Sequence, residues 1–63
     1  MAGEAVDENL PATVRQKMHL ELAKAHLRRH DMSSARAEVS RGLSVRGGRE
    51  VYRLALASTS ESL

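Results

Sequence analysis

The sequence predicts an all-α fold, a three-helix unit in which an antiparallel helical hairpin is followed by a short third helix. Three observations support this prediction. The 63 residues include one aromatic side chain, Tyr52, so the core must be built from Leu, Val, Met and Ala, which suit close-packed helices better than strands. Apolar residues recur at helical spacing in three stretches. Two short breaks, His30-Asp31 and Gly47-Gly48, separate these stretches.

The first helix is predicted over residues 12–29, directly after Pro11, because the fixed φ of proline suits the first turn of a helix. On a wheel of about 100° per residue, its apolar side chains form two stripes. These stripes are Val14, Met18, Leu22 and Ala25, and Leu20, Ala23 and Leu27. Such a wide apolar arc predicts that this helix contacts neighbours on two flanks.

The second helix is predicted over residues 33–44, with Asp31 or Ser33 as its N-cap. Its apolar positions follow one i, i+4 stripe, formed by Met32, Ala35, Val39 and Leu43. The third helix is predicted over residues 49–58. It carries Val51, Leu54 and Ala55 on one face and Tyr52 with Leu56 on another.

The predicted domain covers residues 11–58 and is flanked by two less ordered ends. Residues 1–10 are small, acidic and without apolar periodicity, so we expect a disordered tail. Residues 59–63 lack the apolar pattern of the third helix and are expected to fray.

Charge is distributed unevenly along the chain. The formal net charge is +2, but residues 14–53 hold ten basic and four acidic residues, a local charge of +6. A basic body favours acidic partners. No apolar run approaches the length of about 20 residues that a membrane span needs, and no signal peptide is recognised. The chain contains no Cys, which fits a cytoplasmic location, and no cofactor is expected.

The hairpin resembles a single tetratricopeptide repeat, a helical hairpin of roughly 34 residues. The register holds without a gap from His19 to Val45. The residues that match it are Leu22-Ala23, His26, the His30-Asp31 corner, Ala35, Val39 and Gly42-Leu43. Small residues at Ala23, Ala35 and Gly42 are expected to let the two helices approach closely.

The sequence departs from this family's pattern at several positions. His19 stands where the family often has Trp, His26 replaces an aromatic residue or Leu, and His30 replaces the corner Gly. Gly47 stands where a Pro usually ends the repeat. The resemblance covers about half the chain, as one repeat plus a capping helix. Because a lone repeat buries little surface, it also implies a possible homodimer or docking on a larger partner.

The resemblance implies a protein–protein interaction module, such as an adaptor, a chaperone-like protein or a regulatory partner. In this family the first helices line a groove for peptides. The residues that would line it here are Lys17, Leu20, Lys24, Leu27 and Arg28. A mixed basic and apolar lining suits an acidic or amphipathic segment of another protein. The alternative is a solvated face on which Glu21 pairs with Lys17 or Lys24.

A second, weaker resemblance links Ala35–Leu54 to helix-turn-helix DNA-binding domains, as found in bacterial regulators. In that interpretation Arg46, Arg49 and Arg53 would contact nucleic acid. The turn is about one residue too long for that motif, and Gly47-Gly48 occupies the end that reads bases. Nucleic acid is therefore the less favoured partner.

Three histidines, His19, His26 and His30, lie close together on the wheel of the first helix. The His26/His30 pair has the i, i+4 spacing that can bind zinc, although Leu27 stands where metalloprotease helices carry Glu. We favour a packing role for His19 and His26, with a pH-sensitive packing face as a further alternative. No catalytic motif accompanies these residues, so no enzymatic activity is expected.

Overall fold

The computed structural model describes residues 6–63 and confirms the all-α prediction. Its three helices are α1 (Ala12–Arg28), α2 (Met32–Leu43) and α3 (Glu50–Glu61). They start within one residue of the predicted positions, and α3 continues three residues further than predicted. In that last turn the hydroxyl of Thr59 donates to the carbonyl of Ala55 at 2.9 Å.

The predicted N-terminal tail lies partly outside the described residues, since its first five positions are not covered. In the described part, residues 6–10 turn towards α1. The backbone N–H of Leu10 donates to the carbonyl of Asp7 at 3.2 Å, and the N–H of Asn9 donates to the Asp7 carboxylate at 2.9 Å.

Small side chains set the spacing between α1 and α2. Ala23 of α1 and Ala35 of α2 are both fully buried. Further along α2, a Cβ added to Gly42 would lie 2.8 Å from a methyl carbon of Leu56 and 3.1 Å from the Cβ of His19. The backbone of α2 therefore approaches both other helices closely at Gly42, as the small residues in the sequence predict.

The third helix packs through the face that carries Tyr52 and Leu56. Leu56 is fully buried and Tyr52 is half-buried. The other predicted apolar face points outward, with Val51 63% exposed and Leu54 60% exposed. The third helix thus contributes one large aliphatic side chain to the core and leaves two on the surface.

The corner between α1 and α2 is a Schellman motif centred on His30. Its φ is +61°, the only positive φ at a non-glycine residue in the described chain. The N–H of His30 donates to the carbonyl of Leu27 at 2.9 Å, and that of Asp31 donates to the carbonyl of His26 at 2.9 Å. The backbone therefore adopts the left-handed conformation that glycine favours, although the residue is histidine.

Asp31 then caps α2. Its carboxylate accepts a hydrogen bond from the backbone N–H of Ser34 at 3.1 Å. Hydrogen bonding from Ser34 lowers the pKa of Asp31 below its ordinary value of 3.8, and the charges of His26 and Arg29 act in the same direction. The capping carboxylate is therefore ionised at neutral pH.

Replacing His30 with Gly is expected to stabilise the protein by about 1 kcal/mol, because glycine avoids the steric cost of a Cβ at positive φ. Urea unfolding followed by circular dichroism measures this change. His30→Ala is the matched control, since alanine keeps the Cβ and should leave stability near that of the wild type. Equal stabilisation by both substitutions would show that the imidazole, rather than the backbone conformation, carries the cost.

Candidate functional site

The outward surface of α1 combines basic and apolar side chains. Six residues of this helix are exposed and lie within an arc of about 120° on the helical wheel, which we call the outer face of α1. They are Val14, Lys17, Met18, Glu21, Lys24 and Arg28. Val14 is 39% exposed and Met18 is 37% exposed, so half of the predicted first apolar stripe lies at the surface.

The cations of the outer face have no partner within residues 6–63. No hydrogen bond or ion pair engages the side chains of Lys17, Lys24 or Arg28, and Glu21 pairs with neither lysine. This face therefore carries three available positive charges against one negative charge. Such a surface attracts carboxylates, while its two apolar side chains offer contact area to an amphipathic partner.

The two leucines predicted to line a peptide groove differ in exposure. Leu20 is buried in the core, and Leu27 is half-buried. A ligand on α1 would therefore meet Lys17, Lys24 and Arg28 directly, with Val14 and Met18 in place of Leu20 as its apolar contacts. The wheel explains this arrangement, because Leu20 lies on the same side of α1 as the buried Ala23.

A buried polar cluster joins α1 to α2. The Nδ1 atom of His19 lies 2.8 Å from Oε1 of Glu38, and both side chains are about nine-tenths buried. The other carboxylate oxygen of Glu38 accepts a hydrogen bond from the guanidinium of Arg41 at 2.9 Å. Both oxygens of the buried carboxylate are thus satisfied, as a buried charge requires. This geometry supports the packing role predicted for His19.

An open groove of about 580 Å³ runs along this cluster. It is bordered on one side by Val6 and Glu8 of the N-terminal segment and on the other by α2. Its charged side chains include Arg15, whose Nε donates to the carbonyl of Leu10 at 3.0 Å, and Arg41, which is held by Glu38. The first bond joins the N-terminal segment to α1, and the second lies within α2, so both arginines already have partners inside the chain.

The three histidines have different environments. His19 is buried against Glu38, His26 is half-buried, and His30 is exposed at the corner. Within residues 6–63, no three His, Cys, Asp or Glu side chains come close enough together to hold a metal ion.

The arginines predicted for nucleic-acid contact are divided between two roles. Arg46 and Arg49 are exposed. The guanidinium of Arg53 donates to the carbonyls of Leu43 at 3.3 Å and Val45 at 3.0 Å. Because Leu43 is the last residue of α2, Arg53 satisfies one carbonyl that the helix C-terminus leaves unpaired, and its second bond holds the backbone just after the helix.

Gln16 is a structural residue that the sequence pattern does not reveal. Its side chain is fully buried, and its Oε1 accepts the backbone N–H of Arg49 at 2.9 Å, which joins α1 to the start of α3. Its Nε2 is buried without a partner among the described residues. A polar residue in a helix is normally predicted to lie at the surface, so the apolar periodicity of α1 does not predict the burial of Gln16.

Comparison with protein-family models, with curated proteins and with solved structures finds no match for this chain. Among the described residues, no helix combines the length and the apolar character needed to cross a membrane.

Proposed function

We propose that this protein is a small protein–protein interaction module that binds an acidic, partly apolar segment of a partner on the outer face of α1. The observation that carries the proposal is the set of three unpaired cations, Lys17, Lys24 and Arg28, beside exposed Val14 and Met18. Charges with no intramolecular role are free to pair across an interface.

We further propose that the hairpin is tetratricopeptide-like. The supporting observations are the complete burial of Ala23 and Ala35 and the close approach of α1 and α3 to Gly42. The left-handed conformation of His30, where this family has Gly at the corner, also supports the proposal. Roles as an adaptor, a chaperone-like partner or a regulator are consistent with such a module.

The burial of Gln16, His19 and Glu38 also supports an interaction role. Three of the ten buried residues in the described part of the chain are polar or charged, so the hydrophobic core is small. Small domains with small cores gain stability from binding, because a partner that binds only the folded state shifts the folding equilibrium.

The test is binding of a fluorescein-labelled helical peptide with Glu on one side and Leu beside it, followed by fluorescence anisotropy. The triple variant K17E/K24E/R28E is expected to weaken binding by at least roughly tenfold, since each exposed pair contributes about 0.2–1 kcal/mol and reversal adds repulsion.

The matched control reverses three other exposed arginines, as R36E/R46E/R49E, with the same change in net charge. The proposal expects this variant to retain most of the affinity. Equal loss in both variants would mean that only net charge matters and would contradict the proposal. Stronger loss in the control, with steeply salt-dependent binding to duplex DNA, would favour the nucleic-acid alternative.

A further inference from the structure

The outward surface of α3 is acidic and apolar. Val51, Leu54 and Ser58 are exposed at i, i+3 and i+7 spacing, which places them on one side of the helix. Exposed Glu50 and Glu61 lie on the same side, at opposite ends of the helix. We call these five residues the outer face of α3.

Among residues 6–63, no basic side chain forms an ion pair with the two carboxylates of this face. The basic residue within α3, Arg53, follows Glu50 at i, i+3 spacing, but its guanidinium donates to the carbonyls of Leu43 and Val45. Neither Glu50 nor Glu61 makes a hydrogen bond or an ion pair through its side chain within residues 6–63. The outer face of α3 is therefore acidic and partly apolar, like the partner segment proposed above to bind the outer face of α1.

The two faces also match in length. Glu50 and Glu61 are separated by about three helical turns, or roughly 16 Å along the axis, and so are Lys17 and Arg28. Parallel alignment that pairs these ends sets Val51 level with Met18. The same alignment sets Leu54 level with Glu21. Antiparallel alignment would instead set Leu54 level with Lys24 and Val51 level with the half-buried Leu27. Only the parallel arrangement therefore brings two exposed apolar side chains, Val51 and Met18, together.

We propose that the outer face of α3 in one copy of this chain docks in parallel on the outer face of α1 in a second copy. Glu50 and Glu61 then pair with Lys17 and Arg28, and Val51 packs against Met18. This inference rests on the proposed function of the α1 face, for which it names one occupant. It also implies that a second copy and an acidic partner compete for the same surface.

Such a contact is heterologous, because it joins two different surfaces. An open assembly always has one unoccupied outer face of α1 at one end and one of α3 at the other, so it can add further copies unless it closes into a ring. The mass in solution should therefore rise with concentration, and an acidic helical peptide should reverse the rise.

The experiment is sedimentation velocity from micromolar to millimolar protein, on the wild type and two charge-reversed variants, K17E/R28E and E50K/E61K. Each variant alone is expected to associate at least roughly tenfold more weakly than the wild type, because like charges then oppose each other. Mixing the two variants should restore association, since the basic α3 of one complements the acidic α1 of the other. Circular dichroism of each variant checks that helix content is retained.

Three outcomes would overturn the inference. The first is a wild type that stays monomeric at every concentration, and the second is a variant that associates as strongly as the wild type. The third is a mixture that does not associate although each variant is folded.

Peptide binding distinguishes failure of the docking inference from failure of the proposed function, because E50K/E61K keeps the outer face of α1 intact. If that variant binds the acidic peptide while no self-association occurs, the docking inference alone is wrong.

Discussion

Replacing Gly48 with Ala is expected to lower the free energy of unfolding by about 2–5 kcal/mol. The φ of Gly48 is +80°, where a Cβ costs about 1–2 kcal/mol. The new Cβ would also overlap the side-chain amide of Gln16, which is fully buried and would have to shift. Displacing Gln16 leaves the N–H of Arg49 without its acceptor, at a further cost of about 1–3 kcal/mol.

The neighbouring glycine provides the matched control for this prediction. Gly47 has nearly the same φ, +79°, but a Cβ there would meet only the Cβ of Ala12 at 3.9 Å, an ordinary contact. Gly47→Ala should therefore lose only the backbone term of about 1–2 kcal/mol. Urea unfolding of both variants measures the difference. Equal losses in the free energy of unfolding would show that the contact with Gln16 does not stabilise the turn at Gly47-Gly48.

Replacing Ala35 with Glu is expected to unfold most of the protein at room temperature. Ala35 is fully buried between α1 and α2, so a carboxylate there would be both overpacked and desolvated. A penalty of about 4 kcal/mol or more approaches the whole stability of a chain this short, which is about 3–9 kcal/mol at typical values per residue.

Ser40→Glu controls for the charge and for the helix propensity of glutamate. Ser40 is exposed on the same helix, so the same carboxylate remains solvated there. This variant should keep its helical circular dichroism and melt within a few degrees of the wild type. If Ala35→Glu also melted like the wild type, the packing of α1 on α2 described above would be wrong.

The helices themselves could be predicted because their signals are local. Gly47-Gly48 breaks the pattern ahead of α3, and Asp31 precedes α2 as its cap. The small residues Ala23 and Ala35 were predicted at the helix contact, and both are fully buried. These features depend on residues close in sequence or on side-chain size alone.

The buried side of α1 could be predicted only in part. A packing role was predicted for His19, but nothing in the pattern marked Gln16, which is fully buried. The apolar Val14 and Met18, in contrast, remain 39% and 37% exposed. The reason is geometric. The side of α1 that is buried depends on where α2 and α3 lie, and a periodicity argument places apolar residues without knowing the positions of neighbouring helices.

For the outer face of α1, the sequence predicted the basic residues but not the apolar ones. Lys17, Lys24 and Arg28 do share an exposed face, because helical spacing alone fixes that relation. Leu20 was expected beside them and is buried instead. The exposure of Val51 and Leu54 could not be predicted from the sequence either. An exposed apolar face of a helix has the same sequence pattern as an apolar face that packs in the core.

The central claim is that the outer face of α1 is a binding surface, and nuclear magnetic resonance tests it most directly. The measurement is a titration of isotopically labelled protein with the Glu/Leu helical peptide, in which the shift of each backbone amide is followed. We predict that the largest changes cluster on α1 between Val14 and Arg28. An absence of binding, or changes centred on residues 46–53, would contradict the claim.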